Sequence, residues 1–219
     1  MNVLSLFDGM GAARLALQRA GLPVSNYYAS EIDKYSLKIS NKNFPDIVQL
    51  GDVKEVKVES LPKIDLLVGG SPCQGFSFAG KQLNFEDPRS ALFFEFIRLI
   101  KETDPKYFLL ENVRMKQEYQ DVITEHLGVR PIMINSALVS AQNRVRLYWT
   151  NIPGIEQPKD KGILLKDILE DGDTVLEQFY KSRPPRIYEN KSPTLRAARH
   201  GLNLTKCGAL RGRCIVDGK

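Results

Sequence analysis

The sequence predicts an α/β protein with a mostly parallel sheet, helices on both faces and an antiparallel hairpin at the end. Three observations carry this. Short apolar runs alternate with helix-period segments over residues 1–150, the pattern of βαβ units. The last two runs, Pro131–Val139 and Val145–Thr150, are separated only by Ser140–Arg144, too short for a crossover helix and suited to a hairpin. The chain of 219 residues, 42% apolar and 26% charged, is large enough to bury one sizeable core and has the balance of a globular protein.

Taken in order, Val3–Phe7 reads as a strand and Ala12–Ala20 as a helix, with Gly21 just past its end. Tyr27–Ile32 is a second strand, followed by a helix from Asp33 to Asn43. Ile47–Leu50 and Ile64–Val68 are the third and fourth strands. Ser90–Glu102 is a strong helix, with Leu92, Phe93, Phe96, Ile97 and Ile100 recurring on one face. Tyr107–Leu110 is the fifth strand, and a helix follows over Gln117–Leu127. Beyond Pro153 the periodicity weakens, apart from a short helix at Leu164–Glu170. Pro184-Pro185 and the Gly/Arg-rich end read as loop. The expected organisation is one domain over residues 1–155 and a basic, loop-rich extension over residues 156–219.

Charge is unevenly spread. Residues 181–219 hold ten Lys/Arg against two Asp/Glu, within a whole-chain net charge of +5. A basic end of this kind suits nucleic acid or another polyanion, and equally a solvated tail. The N-terminus lacks a basic segment followed by a long apolar stretch, and no apolar run approaches spanning length, so a chain neither secreted nor inserted is expected. Three cysteines, an odd number, argue for a reducing compartment, read as the cytoplasm, nucleoid-associated in a prokaryote or phage-infected cell. Cys207 and Cys214, with only two histidines in the chain, make a poor zinc site, and no metal is expected.

Six short segments could carry chemistry. In the first, Phe7-Asp8-Gly9-Met10-Gly11, glycines after a strand let a ligand approach the backbone at a helix N-terminus. The third glycine of a dinucleotide fingerprint is missing, and alone this is the turn of an ordinary connection. Glu31 closes the second strand, where an acid commonly binds ribose hydroxyls, although surface acids are common. Asp52-Val53 after strand three could hold an adenine or simply cap a turn. All three lie at the C-terminal ends of neighbouring strands, where open α/β sheets bind ligands. Cys73 follows strand four on a turn stiffened by Pro72, and Gly75 and Gly80 loosen the loop beyond. It is placed like a nucleophile, although a lone thiol there is also compatible with an inert buried one. Glu111 ends strand five, where a carboxylate is costly unless partnered or used. In Gln142-Asn143-Arg144-Val145-Arg146 the two arginines fall on one side of a strand, able to hold a carbonyl or phosphate or merely to lie at the surface.

Together these segments resemble the DNA (cytosine-5)-methyltransferases. Phe7–Gly11 is similar to that family's cofactor loop, and Ser71-Pro72-Cys73-Gln74-Gly75-Phe76-Ser77 to its nucleophile motif. Glu111-Asn112-Val113 matches its E-N-V triplet, and Gln142–Arg146 its Q-x-R-x-R. The four occur in the family's order over roughly residues 3–151. The helix with Leu92–Phe96 and the run Tyr148–Gly154 resemble compact phage, bacterial or Dnmt3-like members. The resemblance implies a Rossmann-like class I methyltransferase fold, S-adenosyl-L-methionine as cofactor and duplex DNA as partner. It implies that Cys73 attacks C6 of a flipped cytosine, that Glu111 hydrogen-bonds N3 and the exocyclic amine, that Arg146 holds O2, and that Arg144 steadies the loop or a phosphate. The cofactor would lie against Phe7, Asp8, Gly9, Met10 and Gly11. Its ribose would meet Glu31 beside Ile32, its adenine Asp52 and Val53, with Pro72 nearby. Residues Gln74–Pro88 would close over the base.

The resemblance stops short at the C-terminal side. The family's later motifs, which organise target recognition and complete the cofactor site, have no match here. Lys191-Ser192-Pro193-Thr194-Leu195-Arg196 is similar only to the approach to the recognition region, whose basic beginning would be Arg199–Lys219. Three readings of this stay open: an excised fragment, a truncated gene product, or one half of a split enzyme whose partner is a second polypeptide supplying the missing motifs. Two other readings stay open: a catalytically silent relative that binds cofactor or a partner enzyme, and a methyltransferase acting on RNA cytosine.

Overall fold

The computed structural model describes residues 1–72 and 88–169, the strand segments 173–177, 186–188 and 214–217, and residues 190–193. Cys73, most of the segment expected to close over a base, and nearly all of the basic end lie outside the described residues. Among them the order is β1 (Asn2–Leu6), α1 (Ala12–Arg19), β2 (Asn26–Ser30), α2 (Lys34–Asn43), β3 (Ile47–Gly51), β4 (Leu66–Gly69), α3 (Pro88–Thr103), β5 (Tyr107–Val113), α4 (Gln117–Leu127), β6 (Ile132–Asn135), β7 (Gln142–Asn143) and β8 (Val145–Thr150). Four short strands follow: β9 (Asp173–Glu177), β10 (Arg186–Tyr188), β11 (Ser192–Pro193) and β12 (Cys214–Asp217).

The main sheet runs β3-β2-β1-β4-β5-β8-β6. The pairs β1 with β2, β1 with β4, β2 with β3 and β4 with β5 are all parallel. Strands buried on both faces send alternate side chains to opposite cores. On one face Val3 of β1, Tyr27 and Ala29 of β2, and Leu66 and Val68 of β4 meet Leu17 of α1. On the other, Leu4 and Leu6 of β1 and Leu67 of β4 pack with Phe93, Phe96, Ile97 and Leu99 of α3, Ile123 of α4, and Trp149 of β8. Trp149 is fully buried and its indole N–H donates to Thr124 Oγ1 at 3.1 Å, so its polar atom is satisfied inside the core. The parallel sheet covered on both faces is as expected from the sequence.

The chain divides into two compact units, Met1–Met133 with Leu147–Ile155, and Ile134–Arg146 with Glu156–Lys219. In the second, β9 pairs antiparallel with β10 and β12, and β11 pairs parallel with β7. These strands fall where the sequence reads as loop. At two to five residues they are too short for a period of two to show. Two further expectations are corrected. The strand from Pro131 stops at Asn135, because the Asn135 side chain accepts from Ala137 N at 3.1 Å and caps a 3-10 turn over Ser136–Leu138. The helix expected over Leu164–Glu170 is a 3-10 turn, Leu165–Asp167, closed when Asp167 Oδ2 accepts from Leu164 N at 2.7 Å. Among the described residues no helix is long and apolar enough to cross a membrane.

Candidate active site

The sheet order reverses between β1 and β4, and ligands of open α/β sheets bind at the strand ends beside such a switch. After β1 the chain turns tightly, with Phe7, Gly9 and Gly11 all at positive φ (57°, 64° and 82°). A non-glycine residue there is strained and persists only where its surroundings fix it. The surroundings are explicit: Asp8 N donates to Ser30 O at 3.2 Å, tying the loop to the end of β2. The Asp8 carboxyl is buried, and its Oδ1 accepts from Ser5 Oγ at 2.6 Å and from Tyr27 Oη at 2.7 Å. Burial pushes the Asp8 carboxyl up, against the lowering effect of those two donors. Burial first, and the Asp8 charge second, push the Tyr27 hydroxyl up in turn, so Tyr27 stays a donor. Asp8 thus acts inside the loop, and Ser5 and Tyr27 are anchors that sequence reasoning missed. Tyr27 carries no signal in the sequence, being one aromatic of an apolar strand.

The loop glycines have different reasons. A Cβ on Gly9 would meet nothing within 4 Å, so its requirement is the backbone angle and the space above it is open. A Cβ on Gly11 would fall 2.9 Å from Phe44 Cδ2, so Gly11 lets the start of α1 pack against the end of α2. Glu31 reaches across from β2: Oε2 accepts from Gly9 N at 2.8 Å, and Oε1 accepts from Ile32 N and Asp33 N, each at 2.8 Å. Beside it Met10 is 56% and Ile32 72% exposed, two large apolar side chains left uncovered at the strand ends. Ser30 Oγ donates to Gly51 O at 2.8 Å and fastens the end of β2 to that of β3. Asp52 caps the turn after β3, its Oδ1 accepting from Lys54 N at 3.0 Å. Val53 is buried in the core with Leu4 and Leu6, so only its main chain is available to a ligand.

At the ends of β4 and β5 the chain carries different groups. A Cβ on Gly70 would lie 3.2 Å from Glu111 Oε2, so that carboxylate sits close to the segment leading to Cys73. β5 runs on through Glu111-Asn112-Val113 instead of ending before it, alternating half-buried and buried positions. Asn112 is therefore on the buried side, 2% exposed. Its Nδ2 donates to Ser71 O at 3.3 Å and Ser71 Oγ at 3.4 Å, and its Oδ1 accepts from Val113 N at 2.8 Å. Asn112 is a third such anchor, named in the sequence only as the middle of the Glu111-Asn112-Val113 triplet. A lone amide on the apolar side of a buried strand was its signal. Ser71 is buried and Pro72 exposed, so the stiff approach to Cys73 is held from inside.

Arg144 and Arg146 belong to the second unit. The ladder breaks at Arg144, between β7 and β8, so strand alternation does not place the two arginines on one side. Arg144 is held by its backbone: its N donates to Asn135 Oδ1 at 3.1 Å and its carbonyl accepts from Ser136 N at 3.0 Å. Arg146 Nη1 donates to Val145 O at 2.8 Å.

A mostly parallel seven-stranded sheet of this order, with a glycine turn after β1 and an acid at the end of β2, is a Rossmann-like α/β fold. The chain belongs to the C-5 cytosine-specific DNA methylase family, whose model matches residues 1–153. It is 34% identical over 215 residues to the type II methyltransferase M1.ScrFI of Lactococcus lactis subsp. cremoris, covering 87% of this chain and 55% of that protein. It is 38% identical over 191 residues to the orphan methyltransferase M.SPRI of Bacillus phage SPR, covering 78% and 43%. The chain thus spans about half the length of these relatives. Among solved structures it is similar to a prophage-encoded candidate DNA modification methyltransferase of E. coli, at 27% identity and a TM-score of 0.58, covering 84% of this chain and 62% of that one. It shares its fold with Spodoptera frugiperda DNMT2, at 22% identity and a TM-score of 0.54, covering 74% and 54%.

Proposed function

We propose that this chain carries the chemical part of an enzyme that transfers a methyl group from S-adenosyl-L-methionine to C5 of cytosine in duplex DNA. The observation that carries the proposal is the closeness of the Glu111 carboxylate to Gly70, at the end of the strand that leads to Cys73. C5 of cytosine is a feeble nucleophile. In this reading the Cys73 thiolate adds to C6, and Glu111 hydrogen-bonds N3 and the exocyclic amine, draining charge from the ring as sulfur adds. Arg146 holds O2, and Arg144 steadies the loop or a phosphate. The electron pair released to C5 forms the new bond to the methyl group; loss of the proton from the methylated C5 and departure of the Cys73 thiolate from C6 then restore the ring double bond. The cytosine must be flipped from the duplex for any of these groups to reach it.

The residues at the ends of β1, β2 and β3 fit the cofactor. Open space over Gly9, the exposed apolar Met10 and Ile32, and a carboxylate at Glu31 suit a nucleoside with a ribose diol. When bound, S-adenosyl-L-methionine supplies an electrophilic methyl group. Phe7, Asp8, Gly9, Met10 and Gly11 shape its loop, Glu31 takes the ribose with Ile32 beside it, Asp52 and the Val53 main chain take the adenine, and Pro72 closes the near side.

The test is covalent trapping. Duplex DNA containing 5-fluorocytosine, with cofactor and any completing polypeptide, should form an adduct with the wild-type chain and none with Cys73→Ser. A wild-type preparation that binds cofactor but never forms the adduct overturns the proposal. Faster methyl transfer to tRNA than to duplex DNA would move the substrate to RNA.

A further inference from the structure

We propose that Lys191 is a positioning residue for the loop carrying Arg144 and Arg146, and that residues 190–193 act as a strap on that loop. The inference rests on the methyl-transfer reading for what the arginines do, and on the geometry of the second unit for how they are held.

Lys191 Nζ donates to Ala137 O at 2.7 Å, to Ser140 O at 3.0 Å and to Ile163 O. An ammonium has three donors and no acceptor, so three converging carbonyls use all of its hydrogen-bonding capacity. Two of those carbonyls bracket the turn immediately before Gln142, and the third belongs to the segment that packs Leu165 beside Ala141. The strap is fixed along its length as well. Leu165 N donates to Asn190 O at 2.8 Å, and Ser192 and Pro193 pair in parallel with Gln142 and Asn143.

From its other end the same loop is held by Asn135, whose Oδ1 accepts from Ala137 N and Arg144 N, both at 3.1 Å, and whose Nδ2 donates to Asn143 Oδ1 at 2.8 Å. Ser140 closes the turn, donating to Ser136 O at 2.9 Å and accepting from Gln142 N at 3.2 Å. Asn135 and Lys191 thus clamp the segment between them. Asn135 lies eight residues from Asn143, whereas Lys191 lies 54 and 51 residues beyond the carbonyls it binds at Ala137 and Ser140. A contact that remote is not needed to form a local turn. It makes the arginine loop depend on the arrival of a later stretch of chain. Lys191, Ser192 and Pro193, which by sequence read only as part of an approach to DNA recognition, thereby become part of the apparatus that presents the arginines.

Removing the ammonium leaves three carbonyls without their shared donor, and the loop loosens while the first unit keeps its own core. The experiment compares the wild-type chain with Lys191→Met, which keeps the length and apolar stem, and with Lys191→Gln, which keeps a shorter donor. Three readouts are taken: amide hydrogen exchange at Ser136 and Arg144, cofactor affinity, and the rate of 5-fluorocytosine adduct formation. Lys191→Met should raise exchange at both amides at least tenfold and slow the adduct at least tenfold. Cofactor affinity and exchange at Leu4 and Leu67 should stay within twofold of wild type, and Lys191→Gln should fall between. Unchanged exchange at Ser136 and Arg144 in Lys191→Met overturns the clamp, as does a parallel loss of cofactor affinity and core protection, which would mark a general folding role. Loosened amides with an adduct rate within twofold of wild type overturn the link to catalysis. A wild-type chain that forms no adduct at all, with exchange still dependent on Lys191, leaves the clamp standing and fails the methyl-transfer reading instead.

Discussion

Gly70 and Glu111 face each other across the ends of β4 and β5 so closely that a Cβ on Gly70 would lie 3.2 Å from Glu111 Oε2. That distance is tighter than ordinary van der Waals contact. Gly70→Ala would therefore push the Glu111 carboxylate aside by a few tenths of an ångström, with only a small effect on the core, since Gly70 lies beyond the last residue of β4. We expect methyl transfer to fall at least tenfold, with cofactor affinity within twofold of wild type. Equal losses in both would show that the contact serves the fold.

Gly9 and Gly11 should separate stability from ligand binding. Gly11→Ala forces a Cβ into Phe44 and should lower stability by about 1–3 kcal/mol, as overpacking does. Gly9→Ala meets no atom and should lose only the backbone cost of positive φ, about 1 kcal/mol. The order reverses for the cofactor, where Gly9→Ala should weaken binding more. Urea unfolding and titration with S-adenosyl-L-methionine measure the two effects.

Asn112 joins the end of β5 to Ser71, two residues before Cys73. Asn112→Ala leaves the Ser71 carbonyl without its amide donor in a buried setting, a loss of about 1–3 kcal/mol. Its functional mark should be a slower approach of the thiol: adduct formation on 5-fluorocytosine DNA should drop while cofactor affinity holds. An unaltered adduct rate would confine Asn112 to stability.

The Asp8 carboxyl keeps its proton to higher pH in the fold than in the unfolded chain, because burial raises it. From the ordinary carboxylate value of about 3.9 up to that raised value, the folded form binds more protons than the unfolded form. Asp8 therefore makes stability decline as pH rises through that interval, and has no further effect above it. Asp8→Asn retains an Oδ1 acceptor for Ser5 and Tyr27 and cannot titrate. The stability of wild type relative to Asp8→Asn should fall with rising pH across the interval and then level off. A pH-independent difference in urea midpoints would contradict this.

The placement of much of the candidate site was legible because the signals are local. Glycines after β1, an acid closing β2, Asp52 after β3 and Glu111 in β5 are single residues at strand ends, and a parallel sheet gathers strand ends on one side. The anchors were not legible. Tyr27 is an apolar-strand aromatic until Asp8 folds back beneath it, and Lys191 is one cation in a basic stretch until three carbonyls surround it. Val53 looked like a residue open to an adenine, but its side chain is in the core.

By itself, then, the sequence determined the parallel sheet with helices on both faces and the order of its motifs, since hydrophobic period and turn chemistry act over a few residues. Only the tertiary structure decided which glycine serves packing and which leaves open space. It alone showed that Asp8 works inside its loop, and that the chain near residue 191 returns to hold the arginine loop. Those facts depend on hydrogen bonds and contacts between residues far apart in the chain, for which no local pattern stands in.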